Sequence, residues 1–133
     1  MVKFLAFVSL VSASTIALAA PAPLAAKVPA DLLKAKLEAA KKAYETAFPA
    51  DEKLGVDAEG AYQWSCRWLE TEREESDKKD DRIAAAQAHL DRMRALKKRA
   101  QEVAARASAV VNLPGIDYYC IEAEIWLAQA KGP

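Results

Sequence analysis

The sequence predicts an all-α protein, a small bundle of about four helices around one long amphipathic helix, with a helical hairpin. Three observations lead there. Residues 80–111 contain neither Pro nor Gly, and Ile83, Ala86, Leu90, Met93, Leu96, Ala100, Val103, Ala107 and Val110 recur in steps of three or four, the spacing of one helix face. The opposite face carries Arg82, Asp91, Arg92, Lys98, Arg99, Gln101, Glu102 and Arg106, which makes the helix amphipathic. Pro49, Gly55, Pro114 and Gly115 fall between the periodic stretches, where breakers belong.

The 133 residues are enough for one domain. Residues 1–19 read as a signal peptide: Lys3 is basic, Phe4 to Leu18 is uncharged and apolar or small, and Ala17-Leu18-Ala19 is a small-x-small cleavage pattern. The apolar run is too short to be a good membrane span. Residues 20–28 are then a flexible leader, and 29–133 the helical domain. The expected location is the periplasm or cell envelope.

Val28 to Phe48 reads as the first helix. Pro29 suits its first turn, Leu33, Leu37, Ala40, Tyr44 and Ala47 form its apolar stripe, and Pro49 stops it. Asp57 is the expected N-cap of the second helix, which runs to about Glu75 with Ala61, Tyr62, Trp64, Ser65, Cys66, Trp68 and Leu69 on its apolar face. From Glu70 to Arg82 there is no apolar residue. A section polar all round is not held by packing, so Ser76-Asp77-Lys78-Lys79 reads as a hairpin tip, with Ser76 or Asp77 capping the next helix. The alternative is one continuous helix through the tip, supported by Glu74 with Lys78 and Glu75 with Lys79.

The long helix follows, and Asn112-Leu113-Pro114-Gly115 reads as its stop and a turn. The last helix then runs from about Ile116 to Lys131. Tyr118, Tyr119, Cys120, Ile121, Ala123, Ile125, Trp126, Leu127, Ala128 and Ala130 put apolar groups on nearly every side of it. A helix of that kind needs covering. Tips near residues 77–78 and 113–114 place residue 66 opposite 89 and residue 120 opposite 107. The first two helices then lie along the first half of the long helix and the last helix along its second half, leaving one thin apolar end. Such an end is an association surface. Three occupants fit it: a second copy, a partner helix, or the surface of the envelope.

Charge and motif content narrow the function. The chain has 19 basic and 19 acidic residues, and removing Lys3 leaves 18 against 19. That balance offers no basic face for nucleic acid. One histidine and two distant cysteines do not make a zinc site, and there is neither a CxxCH haem motif nor a glycine-rich phosphate loop. No metal, cofactor or small-molecule substrate is expected. Cys66 and Cys120 are an even pair in an exported chain, which favours a disulfide, but the expected register separates them by roughly 27 Å along the long helix. Buried thiols or pairing between chains are the alternatives. His89 lies opposite Cys66, the minimum for a thiol nucleophile, yet the sequence shows no third orienting group.

Three blocks, Trp64-Ser65-Cys66-Arg67-Trp68-Leu69-Glu70, His89-Leu90-Asp91-Arg92-Met93-Arg94 and Tyr118 to Leu127, resemble a family of small exported bacterial helical proteins. The family has a basic residue where Cys66 and Cys120 stand. No activity is attached to it, so the resemblance implies a helical, exported protein and no residue roles. The expected function is a non-catalytic interaction module acting through helix–helix contacts, with Tyr118, Tyr119 and Trp126 contacting the partner, since large aromatics carry interface energy. Its rivals are a periplasmic holdase and a thiol-dependent enzyme using Cys66 and His89.

Overall fold

The computed structural model describes residues 27–107 and 110–133. They form four helices, α1 (Ala30–Ala47), α2 (Ala58–Glu75), α3 (Lys79–Ala107) and α4 (Leu113–Lys131), with no strand among the described residues. The expected signal peptide, most of the leader and two residues near the expected end of the long helix lie outside them. None of the described helices is long and apolar enough to cross a membrane.

Each boundary has a local cause. Pro29 precedes α1 with φ −56° and ψ 135°, and its carbonyl accepts from the amides of Leu32 and Leu33. The Phe48 amide closes the last turn on Tyr44, and Pro49 ends the helix. Asp57 caps α2 as expected, its Oδ1 accepting from the Gly60 amide at 2.9 Å. The hairpin tip is real: Ser76 is extended, and residues 76–78 are outside helix. Ser76 Oγ accepts from the Lys78 amide, and Asp77 pairs with Arg82 at 3.3 Å. The polar section before the tip is better packed than its composition suggests. Thr71 is fully buried with its hydroxyl satisfied by the Arg67 carbonyl, and Glu72 accepts from Trp68 Nε1 at 2.9 Å.

The start of α4 departs from expectation. Asn112 is its N-cap, accepting from the Gly115 amide at 3.1 Å, and Pro114 lies inside the first turn. There its missing N–H loses nothing. Asp57 and Asn112 thus share one arrangement, a short polar cap folded over a glycine three residues on. A Cβ at Gly60 or Gly115 would collide with the cap side chain.

The tightest pairs are α3 with α4 and α1 with α2, and α2 also packs on α3. Neighbours run antiparallel: Lys36 pairs with Glu74, Ser65 meets His89, and Arg94 and Lys97 pair with Glu124 and Asp117. The last two bridges correct the register of the second hairpin. Position 120 lies beside the 94–97 turn, not opposite 107. Residues 113–115 open α4 and do not form the turn, which brings its whole length back along α3. As a result α2 and α4 share the middle of α3 and meet each other, with Tyr62 and Tyr119 stacked at 3.9 Å. The core runs through Tyr44, Ala61, Ala86, Leu90, Met93, Leu96, Ile116, Ala123 and Leu127. The α3 stripe is buried only as far as Ala100; Val103, beside a shallow cavity lined by Leu54, Val111 and Ile116, is more than a third exposed.

Two substitutions on this one stripe therefore separate. Leu96→Ala should cost about 2–5 kcal/mol in denaturant unfolding, while Val103→Ala should change stability by only about 0.5 kcal/mol. Asn112→Ala should cost about 1 kcal/mol through loss of the α4 cap.

Candidate functional site

Two features stand apart from ordinary packing: a buried polar cluster at the centre and an uncovered apolar face on α4. The cluster is built on one face of α2 and one of α3. Ser65 and His89 are both fully buried, and Ser65 Oγ lies 2.8 Å from His89 Nδ1. Arg92, one turn further along α3, donates from Nε to the same hydroxyl at 2.7 Å. Ser65 Oγ thus faces two ring or guanidine nitrogens, one of them a cation's. Burial first, and the Arg92 charge second, push the His89 pKa down to about 4, which keeps the imidazole neutral at pH 7. Trp126 of α4 stacks on the imidazole at 5.3 Å. The Arg92 guanidinium lies 4.0 Å above the Trp68 ring and 5.9 Å from that of Tyr44, a cation held by aromatic faces. Side chains from all four helices thus meet within two turns of α3.

Ser65 and His89 have no exposed surface. His89 is bonded to Ser65, not to Cys66 beside it. The Cys66 thiol is pushed up to about 11, chiefly by burial, which keeps it protonated at neutral pH and works against nucleophilic activation. Cys66 and Cys120 are both free thiols. Burial also raises the Cys120 pKa. The corrected register brings them to within roughly 10–12 Å along α3, still beyond the reach of a disulfide. Among the described residues, no three His, Cys, Asp or Glu side chains are grouped to hold a metal ion.

The second feature is the outer side of α4. Ile116, Cys120, Ala123 and Leu127 are buried. Tyr118, Ile121 and Ile125 lie on the far side, exposed to 59%, 58% and 50%, with exposed Ala128 continuing the row. Of the three residues expected to contact a partner, only Tyr118 lies in this row. Tyr119 stacks on Tyr62, and Trp126 is half-buried against His89. Ile121 and Ile125 were not singled out by the sequence, because apolar residues occupy nearly every side of α4. Polar side chains hold the flanks: Tyr62 and Tyr118 both donate to Glu122, Glu124 pairs with Arg94 at 3.1 Å, and Asp117 with Lys97 at 2.7 Å. Burial, then the bond to Glu122, raises the Tyr62 pKa well above its ordinary value.

Comparison with protein-family models, curated proteins and solved structures finds no match to this chain. The functional reading therefore rests on the geometry.

The cluster makes stability depend on acid. The folded His89 pKa of about 4 lies below the ordinary imidazole value of 6.5, so its contribution is complete above pH 6.5 and is lost as pH falls from 6.5 towards 4. Wild type should lose on the order of 3 kcal/mol more than His89→Gln across that window, measured by denaturant unfolding at each pH. The glutamine keeps a polar group beside Ser65 but takes up no proton.

Proposed function

We propose that the protein is a non-catalytic helical interaction module of the cell envelope, docking through the outer face of α4. The observation that carries this reading is the row Tyr118, Ile121, Ile125: three large apolar side chains, half or more exposed, on one stripe of a helix whose opposite stripe is fully packed. Isolated exposed apolar residues are ordinary. A contiguous row rimmed by polar groups marks an interaction surface. The buried cluster supports the same reading from the other side, because its polar chemistry is spent on holding helices together. Placement in the envelope is supported by the signal-peptide pattern of residues 1–19.

The test compares wild type with a variant carrying both Ile121→Lys and Ile125→Lys, in native extract and as purified protein, by size on a sizing column. Both positions are exposed, so helical content should be unchanged by circular dichroism. Wild type should elute above the monomer mass in at least one of the two conditions, and the variant at the monomer mass in both. A wild-type monomer in both, or an assembly that survives the double substitution, would overturn the reading.

A further inference from the structure

Resting on that reading, we propose that the occupant of the α4 face is a second copy of this chain, paired antiparallel about a two-fold axis. Tyr118, Ile121, Ile125 and Ala128 are separated by three, four and three residues, the alternation of a coiled-coil seam. Such a seam meets a partner helix along its whole length and does not need a pocket.

The sequence along the seam is complementary to its own reverse. With the axis near position 123, Tyr118 faces the partner's Ala128, and Ile121 faces the partner's Ile125. Each large end meets a small one, and the middle layers match in size. Parallel pairing would set tyrosine on tyrosine at one end and alanine on alanine at the other, so the helices could not stay at one separation. An isologous contact of this kind also closes on itself after two copies.

Charge selects the same direction. In the antiparallel pair Asp117, already bridged to Lys97 of its own chain, lies across from the partner's Lys131, and this opposite-charge contact occurs twice. In the parallel pair Asp117 would face the partner's Glu122. The like charges brought near the axis are compensated within each protomer: Glu122 is held inward by the Tyr62 and Tyr118 hydroxyls, and Glu124 by Arg94. The full chain has 19 basic and 19 acidic residues, and without the expected signal peptide 18 against 19, so long-range repulsion between copies is slight. One helix pair is a small interface, below the roughly 1,200 Å² of a standard one, so the dimer is reversible and concentration-dependent.

The test is disulfide trapping in a Cys66→Ala, Cys120→Ala background. Tyr118→Cys and Ala128→Cys proteins are oxidised mildly, separately and mixed, then run on a non-reducing gel, alongside light scattering of the unmodified protein over a dilution series. The mixture should give at least about tenfold more cross-linked dimer than either protein alone. Antiparallel pairing brings 118 to 128, but leaves each residue roughly 15 Å from its own copy, beyond the ~7 Å reach of a disulfide. Cross-linking of Tyr118→Cys alone would overturn the antiparallel pairing. No cross-link in the mixture, with a monomer at every concentration, would overturn self-association. If wild type then still ran above monomer mass in extract, a different partner would hold the same face and the docking reading would stand.

Discussion

The fold depends on one buried hydroxyl. Ser65 Oγ accepts from Arg92 Nε and faces His89 Nδ1, and it does so in a core where alanine is the commonest buried residue. Alanines let helices approach closely but specify little about how they slide, since one small apolar surface fits another in several registers. A polar group with two directional bonds behaves differently. Sliding α2 along α3 by one turn would leave a serine, an imidazole and a guanidinium in the interior without partners, at about 1–3 kcal/mol for each group. Trp126 from α4 and Tyr44 from α1 then pack on the rings and charge of this cluster, so the outer helices inherit the register of the inner pair. The cluster is not fully satisfied: His89 Nε2, Arg92 Nη2 and Glu72 Oε2 have no hydrogen-bond partner among the described residues.

The consequence for function lies on α4. Its inner stripe joins the common core, and Tyr119 and Trp126 on the flank are taken up by Tyr62 and His89. Among the described residues no fifth helix reaches the outer stripe. The helix that the sequence makes apolar all round is therefore finished on one side and open on the other. The open side has the length and spacing of a seam and none of the concavity of a ligand pocket.

Much of this was legible in the sequence. Steps of three and four residues defined four helices, and a tip without apolar residues separated α2 from α3. Asp57 was readable as a cap because it precedes a periodic stretch. Asn112 does the same for α4, but Pro114 and Gly115 beside it carry the stronger stop signal, and the start was misplaced by three residues. The Arg94–Glu124 and Lys97–Asp117 bridges centre the pairing about five residues before the expected tip at 113–114, and that error, doubled in the pairing, moved position 120 by about eleven residues along α3. The covered side of α4 could not be read from periodicity at all, since an all-round apolar helix has no preferred face. Weighting aromatics over aliphatics then favoured Tyr119 and Trp126, which are half-buried against Tyr62 and His89, over Ile121 and Ile125, which are open. Ser65 carried no signal beyond its place on the apolar face of α2; its role appears only when Arg92 and His89 converge on it.

The measurement that bears most directly on this account is amide hydrogen exchange, read by peptide mass at low and high protein concentration. The account predicts that protection across residues 118–128 rises with concentration, while protection across α2 and the middle of α3, set by the buried cluster, stays constant. Protection across 118–128 that is identical at every concentration, including that reached in native extract, would contradict the claim that the outer face of α4 is an unfinished surface.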